Sequence, residues 1–188
     1  MKNIAIFASG RGSNAEKIVE YFKKNEGIAS VSLIITNKGD APVLEMAQKE
    51  GIDKYILKRK AFYQTEELLN LLDKYKIDLI VLAGFLWLVP AYLVKAYEGK
   101  IINIHPALLP KFGGKGMYGM NVHEAVKAKG EKESGITIHY VNEAYDEGHI
   151  IFQAKCSLTD DDQAKDIAQK VQRLEHLHFA PEIAKLLQ

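Results

Sequence analysis

The sequence predicts an α/β fold in which a doubly wound, mostly parallel sheet carries an antiparallel hairpin at one edge. Three observations lead there. Short, nearly unbroken apolar runs such as Asn3 to Ala8 and Asp78 to Ala83 read as strands covered on both faces. Longer amphipathic segments separate these runs, the pattern of helices crossing over a parallel sheet. After about Gly135 the runs Ile136 to Val141 and His149 to Lys155 alternate more, as antiparallel edge strands do.

Taken in order, the strand at Asn3 to Ala8 leads through a glycine loop into a helix from about Ala15 to Lys24. Val31 to Thr36 is the second strand, and Pro42 to Glu50 a helix with proline suited to its first turn. A short extended piece, Lys54 to Leu57, precedes a helix from about Phe62 to Lys76. Strands follow at Asp78 to Ala83 and Lys100 to Ile104, then the hairpin, then an amphipathic helix from about Asp162 to Leu187. No repeat, linker or internal boundary interrupts the pattern, so one domain spanning 1–188 is expected.

Composition narrows the function classes. The content is 47% apolar and 26% charged, that of an ordinary soluble globular protein. A net charge of +1 gives no electrostatic reason to expect nucleic acid or an anionic membrane as partner. A single cysteine, Cys156, excludes an internal disulfide framework and fits a reducing compartment. The first residues read as a strand rather than a charged leader with a long apolar run, so a cytoplasmic location is expected.

Three segments carry chemistry. Ile101 to Pro110 reads as a buried strand stopped by Pro106, with Asn103 and His105 projecting to one side and Ile102 and Ile104 to the other. Ligands of parallel sheets bind beyond the carboxyl ends of the strands. A carboxamide beside an imidazole there suits a carbonyl oxygen that gains charge during reaction. A polar pair that merely finishes a strand is the plainer alternative. The second segment, Ser9 to Ala15, follows a strand and opens a helix, so backbone N–H groups and a helix dipole can face an anion. Gly10, Gly12 and Ala15 loosely match a dinucleotide fingerprint. The second strand, however, ends in Thr36-Asn37-Lys38 rather than in a ribose-holding acid, which favours a phosphate site over a nicotinamide site. A glycine turn with a helix cap is the alternative. The third segment is the acidic loop Asn142 to Gly148. If it lies beside the Asn103/His105 strand, Asp146 favours the imidazolium form of His105 and raises its pKa.

These segments together resemble the phosphoribosylglycinamide formyltransferases, a folate-dependent formyltransferase family. The landmarks occur in family order: Ser9 to Asn14, Ala83-Gly84-Phe85, Asn103 to Pro110, the Gly135 to His139 strand, and Asp146 to Gln153. The resemblance implies a Rossmann-like formyltransferase fold, with phosphate binding in about 1–100 and folate binding and catalysis in about 101–188. It implies formyl transfer from 10-formyltetrahydrofolate to the amine of glycinamide ribonucleotide, in purine biosynthesis, without a metal.

By the same resemblance Asn103, His105 and Asp146 form a catalytic trio. Gly12, Ser13 and Asn14 match the phosphate loop, and Gln172, Arg173, Leu174 and Glu175 the segment facing the ribose. Arg59 matches a folate-contacting arginine. Leu86, Trp87, Leu88 and Val89 match one wall of the pterin pocket, and Asn142, Glu143, Ala144, Tyr145 and Asp146 the other, with Asn103 between them. Trp87 stands where many relatives carry arginine. His139 matches a position near the site. Glycine-rich Lys111 to Gly119 reads as a mobile active-site loop or as a plain long connection. The expected partners are the two small molecules, bound by a monomer or homodimer, with neither nucleic acid nor membrane. The alternatives are a methionyl-tRNA formyltransferase-like enzyme or a formyltetrahydrofolate hydrolase, which would want an added domain or regulatory region. A nicotinamide oxidoreductase and a non-catalytic folate- or nucleotide-binding module complete the set.

Overall fold

A computed structural model describes residues 1–188. The parallel part of the sheet is built from β1 (Lys2–Phe7), β2 (Ala29–Thr36), β3 (Asp53–Ile56), β4 (Leu79–Leu82) and β5 (Ile101–His105). The edge hairpin follows as β6 (Glu133–Tyr140) and β7 (Ile150–Ser157). The seven strands run in the order β3-β2-β1-β4-β5-β6-β7, with β5–β6 and β6–β7 antiparallel. This is the sheet expected from the alternation of apolar runs.

Seven helices cover it: α1 (Ser13–Lys24), α2 (Val43–Glu50), α3 (Arg59–Gln64), α4 (Glu67–Lys74), α5 (Ala91–Ala96), α6 (Met120–Ala128) and α7 (Ala164–Leu187). The strand period of two sorts the apolar residues onto two faces. Ile4, Ile6, Ile102 and Ile104 pack with Ile18 of α1, Val126 of α6 and Val171 and Ile183 of α7. Ala5, Phe7, Ile80 and Ile101 pack on the other face with Phe62, Leu68, Leu72 and Leu93 of α3, α4 and α5. No helix is long and apolar enough to cross a membrane.

Three departures from the sequence reading have local causes. The single helix expected over 62–76 is two helices. Thr65 between them is extended, and its hydroxyl donates to the Ala61 carbonyl at 3.0 Å, a local bond that competes with helical continuation. The six-residue α5 is too short to show a helical period and follows Pro90, whose extended backbone stops the chain before it. Helix α6 was hidden behind the glycine-rich loop that ends at Gly119.

Candidate active site

The carboxyl ends of β1, β4 and β5 open into a cavity of about 780 Å³, large enough for a drug-sized ligand and more. Asn103 and His105 share a face of β5 with Ile101, opposite Ile102 and Ile104. Register fixes what meets them, since Asn103 lies opposite His139 and His105 opposite Thr137 on β6. Thr137 anchors the chain just past His105: its hydroxyl donates to the Ala107 carbonyl at 2.7 Å and accepts the Leu109 N–H at 3.0 Å.

The hairpin loop does lie beside this strand. Asp146 Oδ2 stands 3.5 Å from His105 Nδ1, and its Oδ1 stands 3.5 Å from Asn103 Nδ2 and 3.6 Å from His139 Nε2. Asp146 holds a left-handed backbone (φ 57°) and accepts the Gly114 N–H at 2.9 Å. Such strain in a non-glycine residue is retained where the surroundings over-determine it. Gly113 is needed for this approach, because a Cβ there would come within 2.5 Å of Leu109 Cδ2 and 3.2 Å of Asp146 Cβ. The Lys111 to Gly119 segment is thus tied to the acid rather than being a free connection.

Partners set the tautomers. His105 Nε2 lies 2.7 Å from the Phe112 carbonyl, which can only accept, so Nε2 carries the hydrogen and Nδ1 faces Asp146. His139 Nδ1 donates to the Tyr140 carbonyl at 2.8 Å, leaving Nε2 to accept from Asn103 at 3.1 Å. Burial pushes the pKa of His105 down, and this outweighs the upward pull of Asp146 and of the Phe112 carbonyl. The expectation of a raised His105 pKa is therefore corrected. Removing the ring from water costs the cation more than one carboxylate at 3.5 Å returns. Burial pushes Asp146 up, but the neighbouring rings of His139 and His105 and the Gly114 N–H together hold it below the usual carboxylate range. The resting pair is a neutral imidazole beside an ionised carboxylate.

The other end of the cavity is the loop between β1 and α1. Gly12 is left-handed (φ 76°), and a Cβ there would meet Val43 Cγ2 at 2.4 Å, so only glycine fits the turn that opens α1. Asn14 Nδ2 donates to Glu175 Oε2 at 3.0 Å, while Asn14 Oδ1 is buried with no partner in the protein. Burial pushes the Glu175 carboxyl up against the lowering effect of that amide. Gln172 Nε2 donates to Ser13 Oγ at 3.5 Å. Gly12, Ser13, Asn14, Gln172 and Glu175 all line the cavity, whereas Arg173 and Leu174 on the same helix do not.

The apolar wall is Leu86 to Val89, with Ala144, Tyr145 and Asp146 also lining the cavity; Asn142 and Glu143 stay exposed outside it. Ser9, a residue sequence reasoning left in the glycine loop without a role, is 2% exposed, and its hydroxyl accepts the Leu86 N–H at 2.9 Å. Arg59 does not line the cavity. Its guanidinium lies 5.3 Å from the Trp87 ring and 5.4 Å from that of Tyr63, at the rim. Trp87 thus holds an arginine from α3. Lining residues that sequence reasoning missed include Tyr118, inside the glycine-rich stretch, and Met120 and His123 just beyond it, where no period marks an element. No group of three His, Cys, Asp or Glu side chains is arranged to hold a metal ion.

Residues 2–183 match the formyl transferase family. The chain is 42% identical over 180 residues to a chloroplastic phosphoribosylglycinamide formyltransferase of Arabidopsis thaliana, covering 93% of this chain and 62% of that protein. It is 38% identical over 191 residues to the Bacillus subtilis phosphoribosylglycinamide formyltransferase, covering 100% of this chain and 95% of the relative. The structure of glycinamide ribonucleotide transformylase 1 from Geobacillus kaustophilus superposes with a TM-score of 0.90 at 34% identity, over the whole of both chains. The chain spans 62% and 57% of the length of two plant relatives. With the family matched over nearly all of its length and a bacterial relative matched end to end, the chain belongs to the phosphoribosylglycinamide formyltransferases of the formyl transferase family.

Proposed function

We propose that the protein transfers the formyl group of 10-formyltetrahydrofolate to the amine of glycinamide ribonucleotide. The observation that carries this reading is the meeting of Asn103, His105 and Asp146 in one cavity with Ser13, Asn14 and Glu175. The N-terminus of α1 offers backbone N–H groups and a positive dipole end to a phosphate. Unpartnered Asn14 Oδ1 and the carboxyl of Glu175 are acceptors for ribose hydroxyls. The apolar wall Leu86 to Val89 and the Ala144 to Asp146 loop suit a flat heteroaromatic ring. The amine attacks the formyl carbon of the folate, and collapse of the tetrahedral intermediate breaks its bond to N10, so that tetrahydrofolate leaves carrying the proton the amine sheds.

His105 Nε2–H is the donor for the oxygen that becomes negative in that attack. It is given to the Phe112 carbonyl in this structure, so productive binding exchanges that acceptor for the formyl oxygen. As negative charge grows beside Nε2, the Asp146 carboxylate 3.5 Å from Nδ1 favours the positive charge that the ring takes on. Asn103 stands between His139 and Asp146 with its amide nitrogen directed at both, which fixes its orientation at the same mouth. No side chain here calls for a covalent enzyme intermediate.

In this reading the enzyme is a monomer or a homodimer. A cytoplasmic location is part of the reading, supported by the lone free thiol of Cys156. The test offers 10-formyltetrahydrofolate with glycinamide ribonucleotide and with formyl-accepting tRNA, side by side. Formyl transfer to the ribonucleotide is expected. Product on the tRNA alone, or formate release without transfer, would overturn the reading.

A further inference from the structure

Helix α6 places a histidine in the cavity that no part of the chemistry above uses. His123 is 6% exposed, lines the same cavity as His105, and has a sealed Nδ1 with no partner in the protein. A buried polar atom left unpaired costs about 1–3 kcal/mol, so native proteins rarely retain one without reason. Burial pushes the pKa of this ring down, and His105 pushes it the same way, so the ring is neutral. With Nδ1 sealed, Nε2 is the nitrogen left to meet a ligand, as a neutral donor or acceptor. That is the complement of a hydroxyl or an amide, not of a phosphate.

The two faces of the sheet decide which ligand meets it. Helix α6 packs against α7, and α7 against α1. Val126, one turn along α6 from His123, belongs to the core shared with those helices and with Ile102 and Ile104. Asn14, Gln172 and Glu175 sit on α1 and α7. The apolar wall, by contrast, packs through Phe85, Trp87 and Val89 into the core on the opposite face. His123 therefore stands on the side of the phosphate loop and away from the heteroaromatic wall.

We infer that His123 is a further substrate-binding residue, whose Nε2, the ring nitrogen not sealed within the protein, hydrogen-bonds the neutral ribose or glycinamide part of the ribonucleotide and not the folate. The inference rests on the function proposed above and assigns one more contact to it. Steady-state kinetics of H123L and H123Q, with each substrate varied in turn, tests it. In H123L the KM for the ribonucleotide rises roughly tenfold, the factor one hydrogen bond carries, while the KM for the folate stays within about twofold. H123Q keeps an amide nitrogen near the position of Nε2 and recovers most of the loss.

Nitrogen-15 NMR of the wild-type imidazoles gives a second readout that needs no variant. Saturating ribonucleotide in the absence of folate shifts the His123 ring resonances, and folate alone leaves them in place. Equal losses for both substrates, no rescue by glutamine, or imidazole resonances unmoved by the ribonucleotide would each overturn the inference. Absence of transfer by the wild-type enzyme would instead defeat the function, which separates the two failures.

Discussion

Replacing Gly12 by alanine tests the cradle from its most constrained atom. The residue sits at φ 76°, where an L side chain strains the backbone by about 1–2 kcal/mol. The added Cβ would also lie 2.4 Å from Val43 Cγ2 and 2.8 Å from Val43 Cβ. Val43 cannot swing aside, because it is fully buried at the start of α2 and its N–H donates to the Gly10 carbonyl at 3.2 Å. Overpacking of this kind adds about 1–3 kcal/mol, so G12A should lose about 2–5 kcal/mol in urea unfolding. V43A removes the 2.4 Å clash but leaves the one at 2.8 Å. Alone it costs about 2 kcal/mol from two lost methyl groups and the cavity. The double variant should then lose less than the sum of the singles by about 1 kcal/mol or more, a coupling expected of residues in contact. The KM for glycinamide ribonucleotide should rise with G12A while the KM for the folate does not. A G12A protein within about 0.5 kcal/mol of wild type, or strictly additive losses, would refute the steric argument.

Three further outcomes follow from the same geometry. D146N keeps the shape of the side chain but removes the charge facing His105 Nδ1, and kcat should fall about 10²–10⁴-fold in a formyl-transfer assay. Burial lowers the pKa of His105 in the fold, so as pH drops through about 6.5 the unfolded chain gains a proton that the folded one refuses. Urea stability should therefore decline from pH 8 to pH 5, and H105Q should flatten that decline; Asp146, held low, adds loss of the same sign only nearer its own range. S9A removes the acceptor of the Leu86 N–H, which should cost about 1 kcal/mol and raise the KM for folate more than that for the ribonucleotide.

The sheet was readable in the sequence because strands buried on both faces leave unbroken apolar runs, and Ile101 to Ile104 shows this at its clearest. The direction of Asn103 and His105 followed from the period of two alone. The meeting of Asp146 with His105 was readable only through resemblance, since they stand 41 positions apart and no local pattern encodes β5–β6 pairing. Helices α5 and α6 left no trace, the one too short for a period and the other masked by glycines. The hydroxyl of Ser9, the stacking of Arg59 on Trp87 and the orphaned ring of His123 escaped for a related reason. Each depends on which element packs beside it, and a sequence read along one dimension lacks that neighbour.

The sign of the His105 shift shows why the remaining step had to come from three dimensions. Sequence reasoning supplied the partner, Asp146, and so expected a cation. It could not supply the wall of protein around the ring, which removes more solvation than a carboxylate at 3.5 Å returns. In the proposed reaction a neutral ring with Nε2–H directed at a carbonyl still presents a donor hydrogen to the growing oxyanion. Asp146, ionised and locked by the Gly114 N–H, waits at Nδ1, where a positive charge becomes favourable only once negative charge develops at Nε2. The electrostatic gain is thereby concentrated in the transition state and withheld from the ground state, which is the condition for raising kcat rather than merely tightening binding.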